Sequence, residues 1–403
     1  MKGMAIGKTK NYGFLHSITT ILLFGIIVYS LSACSKKPSD TYLTELGQTD
    51  LTYTEGHVSG TLYEGVTVDA DIPDLSAVPS YDVVSAHLQM PDDTVIQSMK
   101  DYIFDGYAEN EIEKEYVEED QHTNFFVAAE EPWYWHAGIT IIEYPGYERI
   151  NMVNNDAWFS AGEYANGVTK SIPMETQVGM FTKEKLDFMS PEEAIETVKK
   201  QLSEWDIQPI EKPEVYCLDH ETLTHHESLI LAQQSDTFRP ELGEKLDCYL
   251  MLFEVGYNNI PYSCFEFYSP DSGEMTLGAK LQVYFTAEGI INLSYECADY
   301  AIDQVLETHN EIITLDQAMS QVAKRYKNLI VTSNIHIPKI YFQYIPTIEG
   351  EKIGREPETI QSVLVPAWII QPAIYTSDSE TFLDPIVIHA ITGQDITYVG
   401  KYE

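Results

Sequence analysis

Apolar and polar positions alternate from Tyr53 to Ile72, where Val58, Leu62, Val66, Val68 and Ile72 are interleaved with Gly56, Gly60 and Gly65. Side chains two apart share a face of an extended chain, so this stretch predicts a hairpin or two short strands. Pro73 and Pro79 bracket a loop, and Tyr81 to Met90 reads as a further extended segment. The period then changes. Behind Pro91-Asp92-Asp93, Val95, Ile96, Met99, Ile103 and Phe104 recur at helical spacing and predict one amphipathic helix.

The second half carries a repeated pattern. Ser190-Pro191-Glu192-Glu193 starts a helix, with Ser190 as cap and Glu193 placed to close a capping box; Thr314-Leu315-Asp316-Gln317 repeats the arrangement 124 residues later. Ala194, Ile195, Val198 and Lys200 then correspond to Ala318, Met319, Val322 and Lys324, so two helices present the same face. Each is followed by β-like segments. The first set is Pro213 to Leu218, Cys248 to Val255, Cys264 to Tyr268 and Leu281 to Phe285; the second is Ile335 to Tyr344, Ser362 to Gln371 and Pro385 to Ala390. The closing hairpins also match, with Ala287-Glu288-Gly289 standing against Ile391-Thr392-Gly393. Their smaller offset places an insertion in the first copy around His220 to Gly243. A helix that buries one stripe against an antiparallel sheet is an α+β module; chance similarity is the alternative to duplication, and the ordered agreement of helix and hairpin favours duplication.

At the other end, Lys2, Lys8 and Lys10 precede an apolar core from Ile18 to Val28, which closes on Leu31-Ser32-Ala33-Cys34. This resembles a bacterial lipoprotein signal. The resemblance implies cleavage before Cys34 and a diacylglyceryl group on its thiol, and two acyl chains suffice for stable anchoring. An uncleaved anchor is the alternative, because Phe14 to Ala33 just reaches the ~20 residues of a membrane span. Both readings export the remainder. The polar stretch Ser35 to Asp50 then reads as a tether, and no second long apolar run follows.

Composition narrows the partners. The chain has 403 residues and a formal net charge of −39, which argues against nucleic acid and anionic headgroups as partners. Its length calls for two or three modules, and its 27 tyrosines fit β-rich surfaces as well as sugar or peptide contact. Cys217, Cys248, Cys264 and Cys297 form no CxxC pair, and spacing does not choose between disulfides and packed thiols.

Candidate chemistry is sparse. Seven acids between Glu109 and Asp120 face only Lys114, but the run lacks the central glycine of a calcium loop and reads as a solvated face. His220-Glu221 and His225-His226 miss the four-residue histidine spacing of a zincin helix and read as a polar insertion loop. No nucleophile elbow or phosphate-cradling glycine loop is present, so no catalytic, metal or cofactor residue is assigned. The candidate ligand surface is Trp133, Tyr134, Trp135 and Trp158. Trp133 and Trp135 share a face of an extended strand; open, it stacks on a sugar ring or grips a peptide, and closed, it is core.

Val365-Pro366-Ala367-Trp368-Ile369 with His389-Ala390-Ile391-Thr392-Gly393 resembles the PepSY-type modules of Gram-positive envelope proteins and is similar to the YycH and YycI regulatory proteins. The mature chain resembles an uncharacterised clostridial lipoprotein family, for which no activity is implied. These resemblances imply binding or inhibition. The expected organisation is a signal peptide (1–33), a lipidated tether (34–52), a β-rich N-terminal domain (53–185) and two PepSY-like α+β modules (186–300 and 301–403). The expected function is a non-enzymatic, lipid-anchored extracytoplasmic binding or regulatory protein. Its partners are the membrane, through Cys34, and an envelope protein, peptide or glycan. A transporter's solute-binding lipoprotein and an envelope hydrolase are the alternatives; the former usually needs more helices than the three convincing ones here.

Overall fold

The computed structural model describes residues 50–116, 123–131, 134–144, 147–154, 181–222, 247–265, 267–269, 274–276, 278–297, 299–329, 333–347, 362–375 and 380–396. Two antiparallel-rich sheets with helices packed on them form an α+β fold. The opening alternation becomes the meander β1 (Asp50–Thr54), β2 (His57–Tyr63) and β3 (Val66–Asp71), with β3 strictly alternating buried and exposed. β4 (Tyr81–Leu88) follows the proline-bracketed loop. Helix α1 (Asp93–Ile103) is capped by Asp92, whose carboxylate accepts from the Thr94 and Val95 N–H groups, and it buries Met99 and Ile103. After a single turn at Glu109–Glu111 come β5 (Ile112–Tyr116), β6 (Thr123–Glu131), β7 (Tyr134–Tyr144) and β8 (Tyr147–Asn154). The acidic run therefore begins as a turn and continues as a strand; residues 117–120 lie outside the described set.

Both capping boxes form. Ser190 and Glu193 bond reciprocally at the start of α2 (Pro191–Glu204), as Thr314 and Gln317 do at the start of α3 (Leu315–Lys327). The matched residues Ala194, Ile195 and Val198, and Ala318, Met319 and Val322, are all buried. Behind α2 lie β9 (Glu214–Leu218), β10 (Cys248–Phe253), the two-residue strands β11 (Gly256–Tyr257) and β12 (Ile260–Pro261), and the ribbon strands β13 (Phe267–Ser269) and β14 (Glu274–Thr276). The hairpin β15 (Lys280–Thr286) and β16 (Gly289–Glu296) and the strand β17 (Tyr300–His309) complete this half. Behind α3 lie β18 (Ile335–Thr347), β19 (Ser362–Tyr375), β20 (Glu380–Phe382) and β21 (Ile386–His389).

The two sheets divide the early strands between them. One runs β5-β6-β7-β8-β16-β15-β10-β9, antiparallel throughout, with α1 against β7 and β8 and α2 against β10. The other runs β1-β2-β3-β18-β19-β4-β17, with α3 against β2 and β21. Its β3–β18 contact is parallel, joining Val66–Val68 to Ile335–Ile337. The segment just after β12 joins the sheets: the Tyr262 N–H donates to the Val255 carbonyl past β10 at 2.8 Å, Tyr262 lies beside Tyr344 of β18, and the Ser263 N–H donates to the Tyr344 carbonyl at 2.9 Å. One hydrophobic core runs through both sheets, and a smaller one around Ile345, Val365, Ala367, Ile369 and Val387 lies along β18, β19 and β21.

Strand β19 accommodates two prolines by a change of neighbours. One edge pairs with β18, while the other pairs in turn with β4 (Ser362 to Leu364), β21 (Ala367 to Ile370) and β20 (Ala373 to Tyr375). Pro366 and Pro372 fall in the gaps between those neighbours. A proline has no N–H to give a ladder, so the seams are where it costs least. Their carbonyls still accept, from Ala390 and Leu383 respectively.

Candidate functional site

Helices α2 and α3 are each held at their start by an aromatic side chain reaching up from the sheet. In the first module the Tyr249 hydroxyl of β10 donates to the Met189 carbonyl at 2.6 Å and accepts from the Leu186 N–H at 2.9 Å. In the second, the Trp368 indole N–H of β19 donates to the Ile313 carbonyl at 3.2 Å. Met189 and Ile313 are the residues immediately before the two caps. The pieces thus share one device with different chemistry. Burial pushes the Tyr249 hydroxyl pKa up, against the opposing effect of the Leu186 N–H. Both contacts are structural.

A polar network closes the end of β9. Asp219 is fully buried and accepts from the Thr222 N–H at 3.0 Å and hydroxyl at 2.8 Å, with the Lys183 ammonium 3.4 Å away. Burial alone would raise this carboxyl, but the Thr222 bonds and Lys183 outweigh it and hold it below the ordinary range. Beside it, His220 Nδ1 lies 2.8 Å from Asp247, which also accepts the His220 N–H at 2.7 Å. His220 therefore orders a turn in this network. His225 and His226 lie outside the described residues, and among those described no three-member metal-ligating group occurs.

The candidate ligand surface is only partly placed. Tyr134 and Trp135 open β7, opposite Glu131 and Ala129 of β6. Trp133 and Trp158, like Cys34, lie outside the described residues. Cys217, Cys248 and Cys297 are buried and Cys264 is exposed, and among the described residues none of the four forms a disulfide.

Two surface features were not singled out by sequence pattern. At the C-terminal end of α3, Gln321, Lys324, Arg325, Asn328, Leu329 and Asp395 line an open groove of about 450 Å³. Arg325 crosses it to Asp395 at 3.1 Å, and the basic last turn of α3 complements the helix dipole. The second feature is β17, which ends the nine-stranded sheet. It pairs with β4 through two bulges, one after Ile302 and one after Val305, and exposes Val305 and Leu306 by 44% and 45%. His87 Nδ1 meets Asp303 at 2.9 Å across this pairing, and His309 Nε2 meets Glu307 at 2.8 Å.

Comparison with known proteins places the architecture. No family model matches the chain, and no curated protein does. The chain is similar to the crystal structure of an uncharacterized protein from Eubacterium rectale, at 15% identity and a TM-score of 0.60, covering 84% of this chain and 93% of that one. The likeness is one of fold. A YpeB C-terminal domain from Bacillus megaterium aligns at 9% identity and a TM-score of 0.28, covering 75% of this chain and 95% of that domain.

Proposed function

We propose that the protein is a lipid-anchored extracytoplasmic binding protein of a Gram-positive envelope, whose PepSY-like α+β modules engage an envelope protein, peptide or glycan without catalysing a reaction. The observation that carries this reading is Leu31-Ser32-Ala33-Cys34 at the end of an apolar run flanked by lysines. A cysteine after small residues in that position is what lipid transfer and cleavage require. The acidic composition supports a partner that is neutral or basic. Among the described residues no helix is long and apolar enough to cross a membrane; the apolar run before Cys34 lies outside them.

Labelling of producing cells with an alkyne fatty acid tests the anchor. The expected result is label on the wild-type chain and none on Cys34→Ala. Cross-linking in intact envelopes, wild type against Cys34→Ala, tests the binding role. A wild-type chain that carries no label, or that cross-links to nothing reproducibly, sinks the corresponding half of the proposal.

A further inference from the structure

We propose that the free edge of β17 is a strand-addition site for an extended basic polypeptide. The proposal deepens the binding reading above by assigning it a surface and a class of partner. Among the described residues β17 pairs only with β4, so its other edge presents main-chain donors and acceptors that an added strand can satisfy. Val305 and Leu306 are exposed next to each other there, among the most exposed large apolar side chains described. They offer the side-chain contacts that give an added strand its register.

Charge selects the occupant. Strand β17 itself carries Asp303 and Glu307 and no lysine or arginine, and Glu311 follows it in sequence. An incoming strand with basic residues meets a complementary field, whereas a second copy brings the same acids and is repelled. The bulges after Ile302 and Val305 add to this selection, because they interrupt the flat edge that unselective pairing needs. Asp303 and Glu307 are fixed beside His87 and His309, so these charges flank the apolar pair in set positions.

The test uses the full chain in detergent micelles and a fluorescent decapeptide of alternating lysine and valine. Amide hydrogen exchange should show protection at Tyr300–His309 on peptide addition. A Val305→Ser, Leu306→Ser double variant, altered only at exposed positions, should bind about tenfold more weakly. A peptide of equal charge with prolines replacing the valines should bind as weakly as that variant does. Equal binding of the proline peptide, or protection elsewhere than β17, overturns the proposal. Envelope cross-linking separates this outcome from failure of the broader reading: partners retained by the double variant overturn the β17 assignment and leave the tethered binding role standing.

Discussion

At the residue scale, the contact between Tyr102 and the β15–β16 hairpin shows how one side chain constrains another element. The Tyr102 hydroxyl of α1 accepts from the Ile290 N–H at 2.7 Å, and its ring meets Trp205 edge-on at 5.3 Å. A Cβ at Gly289, whose φ is +118°, would lie 2.6 Å from that hydroxyl. Gly289→Ala is therefore expected to cost about 1–3 kcal/mol in urea unfolding, from backbone strain before any displacement of Tyr102. An alanine variant as stable as wild type would show that the turn relaxes freely. Two histidines respond to pH in opposite directions. His57 donates towards Asp71 and Asp69, each at 2.9 Å, and these bonds raise its pKa. Its stabilising effect is full below the unfolded pKa and is lost as pH rises through the folded one. His389 is lowered chiefly by burial, so its contribution is present above the unfolded value and is lost as pH falls through the folded one. Proton-detected histidine titration should find His57 above and His389 below the ordinary imidazole value of about 6.5.

At the element scale, the caps of α2 and α3 were legible because four consecutive residues fix a helix start locally. Ser190→Ala and Thr314→Ala should each cost about 1 kcal/mol, read as a fall in the urea midpoint at unchanged slope. Strand β17 was not legible. Ile302, Val305 and Leu306 stand at helical spacing in sequence, and the bulges at Asp303 and Leu306 are what let an extended chain carry that pattern. The anchors Tyr249 and Trp368 were hidden for another reason. They sit at unequal distances from the caps they serve and donate from different groups, so no alignment of one copy on the other brings them together. Of the candidate site, sequence supplied Tyr134 and Trp135, both on β7. The α3 groove and the β17 edge depend on pairings between distant segments, which local periodicity does not encode.

At the scale of the whole molecule, one buried core runs through both sheets, from Val58 and Val66 at the start of the fold to Ile386 and Ile388 at its end. Tyr262 and Tyr344 lie where the sheets meet, and Tyr262 packs edge-on against Tyr300 at 4.8 Å. A shared core couples the stabilities of its parts, so fluorescence and far-ultraviolet circular dichroism should report a single coincident unfolding transition. Two separated transitions would mean that each sheet melts by itself. Leu202→Ala, at a fully buried position on α2, should then lower the whole transition by about 2–5 kcal/mol rather than one half of it.

The parallel pairing of β3 with β18 sets a schedule for synthesis. Val66 cannot meet Ile335 until the last part of the chain has been made, so a nascent protein carries the outer edge of its first meander uncovered for most of its production. Fragments ending before residue 335 would keep that edge permanently open, and so would be sticky wherever they accumulate.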